Sequence, residues 1–316
     1  MLPCVVKAQF LSEEVLIARL KSSAIPEEVM SKRSVVLHAG SVTPKEIAVI
    51  HEGLVRAGID AVAYFETDRV LAGGDAEKAY SKYLTRREVA GLVLIQKKPS
   101  GFACYITLYN SNSDFVDAGQ TAWSTTASTL SQLMNDIYRT ALSSYQKKNL
   151  LINEVAETGL PVRVIEGNRS ETYAYDLKID NLAVPNFTDS MATQELAGIF
   201  KTYPLRYQLT DNTVSDRELR NKGFLYVLCV VHGRSAVVKE LLGYTVNPSE
   251  SAFVSVTYPE TGMQLKNIPA ETEVFKFYVR HIDSGNVFLS TKWDADTSWQ
   301  QALQNFINGL KAEMKL

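Results

Sequence analysis

The sequence predicts an α/β protein made of two tandem, related halves, each a mixed sheet with helices packed on it in the order β-α-β-α-β-β-β-α. Three observations carry that expectation. Short apolar runs alternate with stretches of helical periodicity, the pattern of strands joined by right-handed crossovers. Capping signals such as Thr43-Pro-Lys-Glu46 and Ser215-Asp-Arg-Glu218 stand where those helices should begin. A strand-turn-strand-helix unit over the last forty or so residues has a worn copy near the middle: Trp123 and Trp293, Ser128 and Ser298, Leu133 and Leu303, Asn135 and Asn305, and Ile137 and Ile307 are each 170 residues apart.

Taken in order, Ser12 caps a short helix at Glu13, and Pro26 restarts the chain as another. The apolar run from Ser34 to His38 is a buried strand. The helix after Thr43 places Ile47, Ile50 and Leu54 on one face and stops at Gly58. A strand follows from Ala61 to Phe65, a helix from the Gly73-Gly74-Asp75 lead-in, and strands over Gly91–Gln96, Phe102–Tyr109 and Phe115–Trp123. A closing helix from Ser128 carries Leu130, Leu133, Met134 and Ile137 as one stripe.

The pattern weakens between about 144 and 170, and the boundary is placed near Glu157. The expected organisation is therefore 1–33 as leader and amino-terminal helices, 34–156 as the first domain and 157–316 as the second. In the second, Tyr173 to Ile179 alternate as a strand that ends at Phe187. A helix over Leu196–Phe200 and a strand over Arg206–Leu209 follow, then the capped helix at Ser215 and a strand from Phe224 to Val231. Extra strands fall at about 235–270. A hairpin over Val274–Trp293 turns at Asp283-Ser-Gly-Asn286 and leads into a helix after Ser298.

Composition narrows the classes of function. The chain has 316 residues, 46% hydrophobic and 22% charged, enough for a core in each half. A net charge of −2 with well-mixed signs argues against a nucleic-acid partner. No apolar run reaches the roughly 20 residues of a membrane-crossing helix, so no transmembrane segment is expected, and peripheral membrane contact stays open. Met1–Gln9 resembles the tail of a secretory signal with Val6-Lys-Ala8 as its cleavage site, so export to the periplasm or beyond is expected, with a cytoplasmic amino-terminal strand as the alternative. Cys4 lacks the small neighbours of a lipidation site. Cys104 and Cys229 lie in apolar strands of different halves, as two buried free thiols.

No coherent catalytic or metal-binding set emerges. His51-Glu52 has Val55 where a zinc-binding helix would place its second histidine, and His38, His232 and His281 are scattered. Gly73-Gly74 lacks a phosphate-loop continuation. Trp123 and Trp293 are expected to seal each sheet against its closing helix, and Lys97-Lys98 to protect a sheet edge. No cofactor is expected.

Three short motifs support a resemblance. Ala183-Val-Pro-Asn-Phe187 is a displaced form of an Ala-Val-x-Pro-Phe opening strand. Asp68-Arg69 matches a strand-ending Asp-Arg that Asp211-Asn212 matches only in part. His281-Ile-Asp-Ser-Gly-Asn-Val287 matches a late Asp-x-x-Thr-Gly-x-Val hairpin, with histidine replacing the first aspartate. In these and in element order the chain is similar to the periplasmic α/β family that includes the curli secretion-channel lipoprotein and the amino-terminal domain of the Tol-system propeller protein. The resemblance implies anticodon-binding-like domains in an envelope protein that contacts other envelope proteins or itself, without an active site. His281, Asp283, Asn286, Asp68, Arg69 and Asp211 are the expected binding-surface residues, because loops carry function more often than strands. The groove between the halves is the expected contact surface. Two alternatives stand beside this reading: an envelope glycan hydrolase using strand-end carboxylates such as Glu66, Asp68 and Asp211, and a cytosolic nucleotide- or nucleic-acid-binding module.

Overall fold

Capping chemistry and short apolar strands place the elements of the amino-terminal half. Helix α1 (Glu13–Ala18) starts at Ser12, whose hydroxyl accepts from the Val15 amide. It is followed by strand β1 (Lys21–Ser22), a 3₁₀ turn at Glu27–Met30 and strand β2 (Arg33–His38). Thr43 and Glu46 form a reciprocal capping box at α2 (Pro44–Ala57), which ends where Gly58 takes φ 90°. Next come β3 (Asp60–Glu66), α3 (Thr67–Val70), α4 (Gly74–Arg86), β4 (Val89–Lys98), β5 (Gly101–Leu108), β6 (Thr121–Ala127) and α5 (Leu130–Ser144). This computed structural model describes residues 10–144, 148–247, 249–259 and 262–316, so the expected signal remnant Met1–Gln9, with Cys4, lies outside the described residues.

The chain divides into two units. The amino-terminal unit holds Leu11–Leu71 and Glu77–Val162, and the carboxy-terminal unit holds Phe10, Ala72–Ala76 and Arg163–Leu316. The amino-terminal sheet has the order β1-β6-β5-β4-β2-β3. Strands β2, β3 and β4 run parallel, β5 is antiparallel to both β4 and β6, and β1 is parallel to β6. Ile50 and Leu54 of α2 and Leu133 and Ile137 of α5 pack with Val36, Val93 and Ile106 of the sheet. Each such side chain contributes about 1.5–3 kcal/mol by leaving water.

Two expectations are corrected here. Residues from Phe115 do not form a strand until Thr121, because Phe115 takes φ 62° and is buried within a polar loop. In that loop Asn110 donates to both Asp114 (2.9 Å) and Asp117 (3.0 Å). Lys97 and Lys98 end a central strand, not an edge, and the Lys97 ammonium pairs with Glu46 at 2.8 Å.

The carboxy-terminal unit repeats the order. Strand β7 (Arg169–Ser170) precedes a 3₁₀ turn at Tyr175–Lys178, then β8 (Leu182–Pro185) and α6 (Ser190–Phe200) capped by Asp189. Strand β9 (Tyr207–Thr210) leads to α7 (Asp216–Asn221) with the Ser215–Glu218 box, then β10 (Tyr226–Arg234). The additional material is α8 (Ser235–Leu241) and a separate hairpin of β11 (Ala252–Thr257) and β12 (Gln264–Pro269). Strands β13 (Glu273–His281) and β14 (Val287–Phe288) and helix α9 (Trp299–Met314), capped by Ser298, close the chain. The sheet order is β7-β14-β13-β10-β8-β9. Position for position, its strand directions equal those of the amino-terminal sheet.

Three further expectations change. The alternating run from Tyr173 to Ile179 is a 3₁₀ turn, since burying only Tyr173, Ala174 and Leu177 suits a turn as well as a strand. The strand returning from Val287 stops at Phe288, two residues before Ser290 adopts φ 73°. Trp123 does pack on the core that includes α5, but Trp293 lies against Val237, Val238 and Leu241 of α8, on the other side of the sheet from α9. Trp299 takes the expected place, its ring 4.8 Å from that of Phe187.

Candidate functional site

Alternation along β13 decides where its charges go. Phe275, Phe277 and Val279 face the core under α6 and α9, while Val274 and Tyr278 face the opposite core. Lys276 and Arg280 share the parity of Val274 and Tyr278, so both cations are carried inward, and each is met by aspartate. The Arg280 guanidinium is bidentate to Asp216 (3.0 and 3.0 Å) and reaches Asp75 at 3.2 Å. The Tyr278 hydroxyl donates to Asp75 at 2.7 Å; burial, then the Asp75 charge, pushes that phenol well above its ordinary pKa.

Lys276 is fully buried and its ammonium lies 2.6 Å from Asp294 Oδ1, a residue only 3% exposed. The same Nζ donates to the Phe277 carbonyl at 2.9 Å and to Ser290 Oγ at 3.4 Å. Burial pushes the Asp294 carboxyl above the usual carboxylate range, with Lys276 pulling the other way. Ser290 Oγ lies 2.8 Å from the Lys292 carbonyl and 3.3 Å from Asp294 Oδ2. A hydroxyl has one proton, and the shorter bond sends it to the carbonyl, leaving Asp294 Oδ2 with acceptor capacity. Lys276 therefore holds Ser290 as a donor and does not take its proton. A serine–lysine nucleophile would need the reverse.

A cavity of about 170 Å³ opens beside this cluster, lined by Tyr173, Tyr258, Ser290, Asp294, Gly309 and Glu313 among others. Its walls are pinned. Tyr173 donates its hydroxyl to the Phe306 carbonyl (2.8 Å), and Glu313 accepts from the amides of Tyr173 (3.1 Å) and Thr291 (3.3 Å). Buried Asn305 donates to the Asp294 carbonyl (3.2 Å) and accepts from the Tyr258 amide (2.9 Å), tying the end of β11 to the wall. Gly309 interrupts α9 for a steric reason: a Cβ there would stand 2.6 Å from Tyr173 Oη and 3.9 Å from Asp294 Oδ2.

None of these residues was singled out as a site from the sequence. The available signal was Lys276 and Arg280, four apart in a strand apolar on both faces, which demands buried carboxylate partners. Of the residues that were singled out, His281, Asp283 and Asn286 sit together at the β13–β14 turn. His281 Nδ1 accepts from the Ser284 amide (3.3 Å), Asp283 pairs with Arg220 (2.7 Å), and Asn286 Oδ1 accepts from the Asn168 amide (2.7 Å). Asp211 lies at the opposite end of that sheet, beyond Thr210, which pairs with Pro185 while His281 pairs with Tyr226. Its carboxylate accepts from the Thr213 amide (2.8 Å) and hydroxyl, and the amide bond first of all holds its pKa low. Asp68 and Arg69 belong to α3 in the other unit. His51 Nδ1 is 2.8 Å from the Tyr64 hydroxyl, and among the described residues no group of histidines, cysteines and carboxylates is arranged to hold a metal. Cys104 and Cys229 are both free, with burial raising both thiols above their ordinary range. No family model, curated protein or solved structure matches the chain.

Proposed function

We propose that this chain is an exported, non-enzymatic binding or assembly protein of the cell envelope, and that it works by adding a segment of a partner protein to the free edge of β12. The observation that carries the proposal is the β11–β12 hairpin. Among the described residues β12 pairs with β11 alone, which leaves its other edge unbonded. The face of the hairpin away from Phe253 and Ile268 bears Val254 and Leu265, with 54% and 70% of their surfaces exposed. An open edge beside an apolar face supports capture of an extended peptide, with main-chain bonds giving affinity and side-chain contacts giving selectivity. The strand order and directions common to both sheets support descent of the units from one anticodon-binding-like ancestor, and with it the likeness to the periplasmic family. The carboxylates weighed for glycan hydrolysis give that alternative no such support, since Asp211 is engaged in its own turn.

The test is a photo-activated crosslinker at Leu265 in producing cells, with fractionation of the products. The expected result is a discrete crosslinked protein in the envelope fraction, lost in a Val254→Lys, Leu265→Lys double variant. A chain confined to the cytosol, or the same adduct with the double variant, would overturn the proposal.

A further inference from the structure

The cavity beside Asp294 has a chemical preference that a protein-binding role does not use. Its polar lining is rich in acceptors. Asp294 Oδ2 keeps acceptor capacity beside the long 3.3 Å contact with Ser290 Oγ, Tyr173 Oη spends its proton on the Phe306 carbonyl and can serve other groups only as an acceptor, and the Glu313 carboxylate stands at the wall. Two lysines stand here: buried Lys276 is consumed by Asp294, the Phe277 carbonyl and Ser290, and exposed Lys292, which also lines the cavity, has its ammonium 3.2 Å from Met263 Sδ. After burial, the charge of Asp294 is the next cause that raises the Tyr173 and Tyr258 phenols. Two tyrosine rings add faces on which a cation rests favourably. The space, about 170 Å³, is close to that of a cavity that admits benzene, so it suits a group of about six heavy atoms. Construction favours keeping it open: Gly309 gives up helix propensity, worth about 1 kcal/mol, where any side chain would close on Tyr173 and reach toward Asp294.

From these contacts we infer that the cavity is a binding site for a small organic cation bearing N–H donors, a primary ammonium or guanidinium group. Ligand N–H groups donate to Asp294 Oδ2 and Glu313, and the carbon end lies against Tyr173 and Tyr258. The inference is independent of the β12 proposal and can fail without it.

The experiment is calorimetric titration of the full chain with methylguanidinium and methylammonium chlorides. Tetramethylammonium chloride, sodium chloride and acetamide at matched concentration serve as controls, and thermal melts run in parallel. Saturable binding of at least one N–H cation with a raised melting temperature is expected, with tetramethylammonium, which has no donor, at least tenfold weaker and the other two silent. Glu313→Gln is nearly the same size, removes the charge and keeps one of the two acceptors that hold the Tyr173 and Thr291 amides. It should weaken binding about tenfold while leaving the circular dichroism spectrum unchanged. Absence of saturable binding by either N–H cation, equal binding of tetramethylammonium, or wild-type affinity in the folded Glu313→Gln chain would each overturn the inference.

Discussion

Lys276 is the residue whose environment is most demanding. An ammonium with no solvent exposure persists only because Asp294, a backbone carbonyl and Ser290 take its donors. Such a pair adds little over apolar residues of equal volume, yet breaking it strands a charge at a cost of about 3–5 kcal/mol. Lys276→Met should therefore destabilise the carboxy-terminal unit by that amount in urea unfolding, whereas Lys276→Met combined with Asp294→Leu should recover most of the loss. The pH dependence has a definite sign. The Asp294 carboxyl is already raised by burial, and removing Lys276 removes what opposes that rise. A raised carboxyl favours the fold below its unfolded pKa and loses that contribution as pH climbs through its folded value. The Lys276→Met penalty should then be smaller at pH 4 than at pH 8, and a pH-independent penalty would refute the buried pair as its cause.

Helix α2 separates two effects that one glutamate combines. Glu46 accepts from the Thr43 amide at 2.7 Å and pairs with Lys97 at 2.8 Å; chiefly the Lys97 bond holds its pKa low. Thr43→Ala removes the cap and should cost about 0.5–2 kcal/mol. Glu46→Gln retains an acceptor for the cap and removes only the charge, a partly exposed interaction worth about 1 kcal/mol or less. Because the folded pKa is depressed, that contribution exists above the ordinary glutamate range and fades as pH falls through the folded value, so Glu46→Gln and wild type should converge once the pH is below that folded value. Thermal melts across pH would show it, and a constant gap would refute it. Helices of this kind were legible from the sequence because Thr43, Glu46, Ser215, Glu218 and Ser298 announce them locally. The cavity was not, because it depends on where β14 stops. Nothing in Val287–Trp293 announces that Ser290 takes a left-handed turn, bringing Asp294 back to a lysine eighteen positions earlier. Tyr173 and Leu177 likewise carry a spacing that serves a strand or a 3₁₀ turn equally.

At the scale of the molecule, the division into units does not follow a single cut of the chain. Ala72–Ala76 is grouped with the carboxy-terminal unit although it is surrounded in sequence by the other. The reason is visible at β10: its partner β8 covers only Tyr226 and Val227, and farther along the strand the His232 amide donates to the Ala72 carbonyl at 2.8 Å. Gly73 follows at φ 125°, where a Cβ would stand 2.5 Å from the Val230 carbonyl oxygen, so only glycine fits. This passage delivers Asp75 to Tyr278 and Arg280, whose side chains would otherwise be left underpaired inside the unit. A fragment spanning 163–316 should accordingly be markedly less stable than the same region within the full chain. Asp75→Ala in the full chain should reproduce much of that loss, about 3–5 kcal/mol by analogy with other broken buried pairs. Hydrogen exchange would locate it, with protection falling in β10 and β13 and unchanged in β4 and β5. If the isolated 163–316 fragment were as protected as the full chain, the five-residue loan would be dispensable and the assignment of Asp75 to the stability of that unit would be wrong.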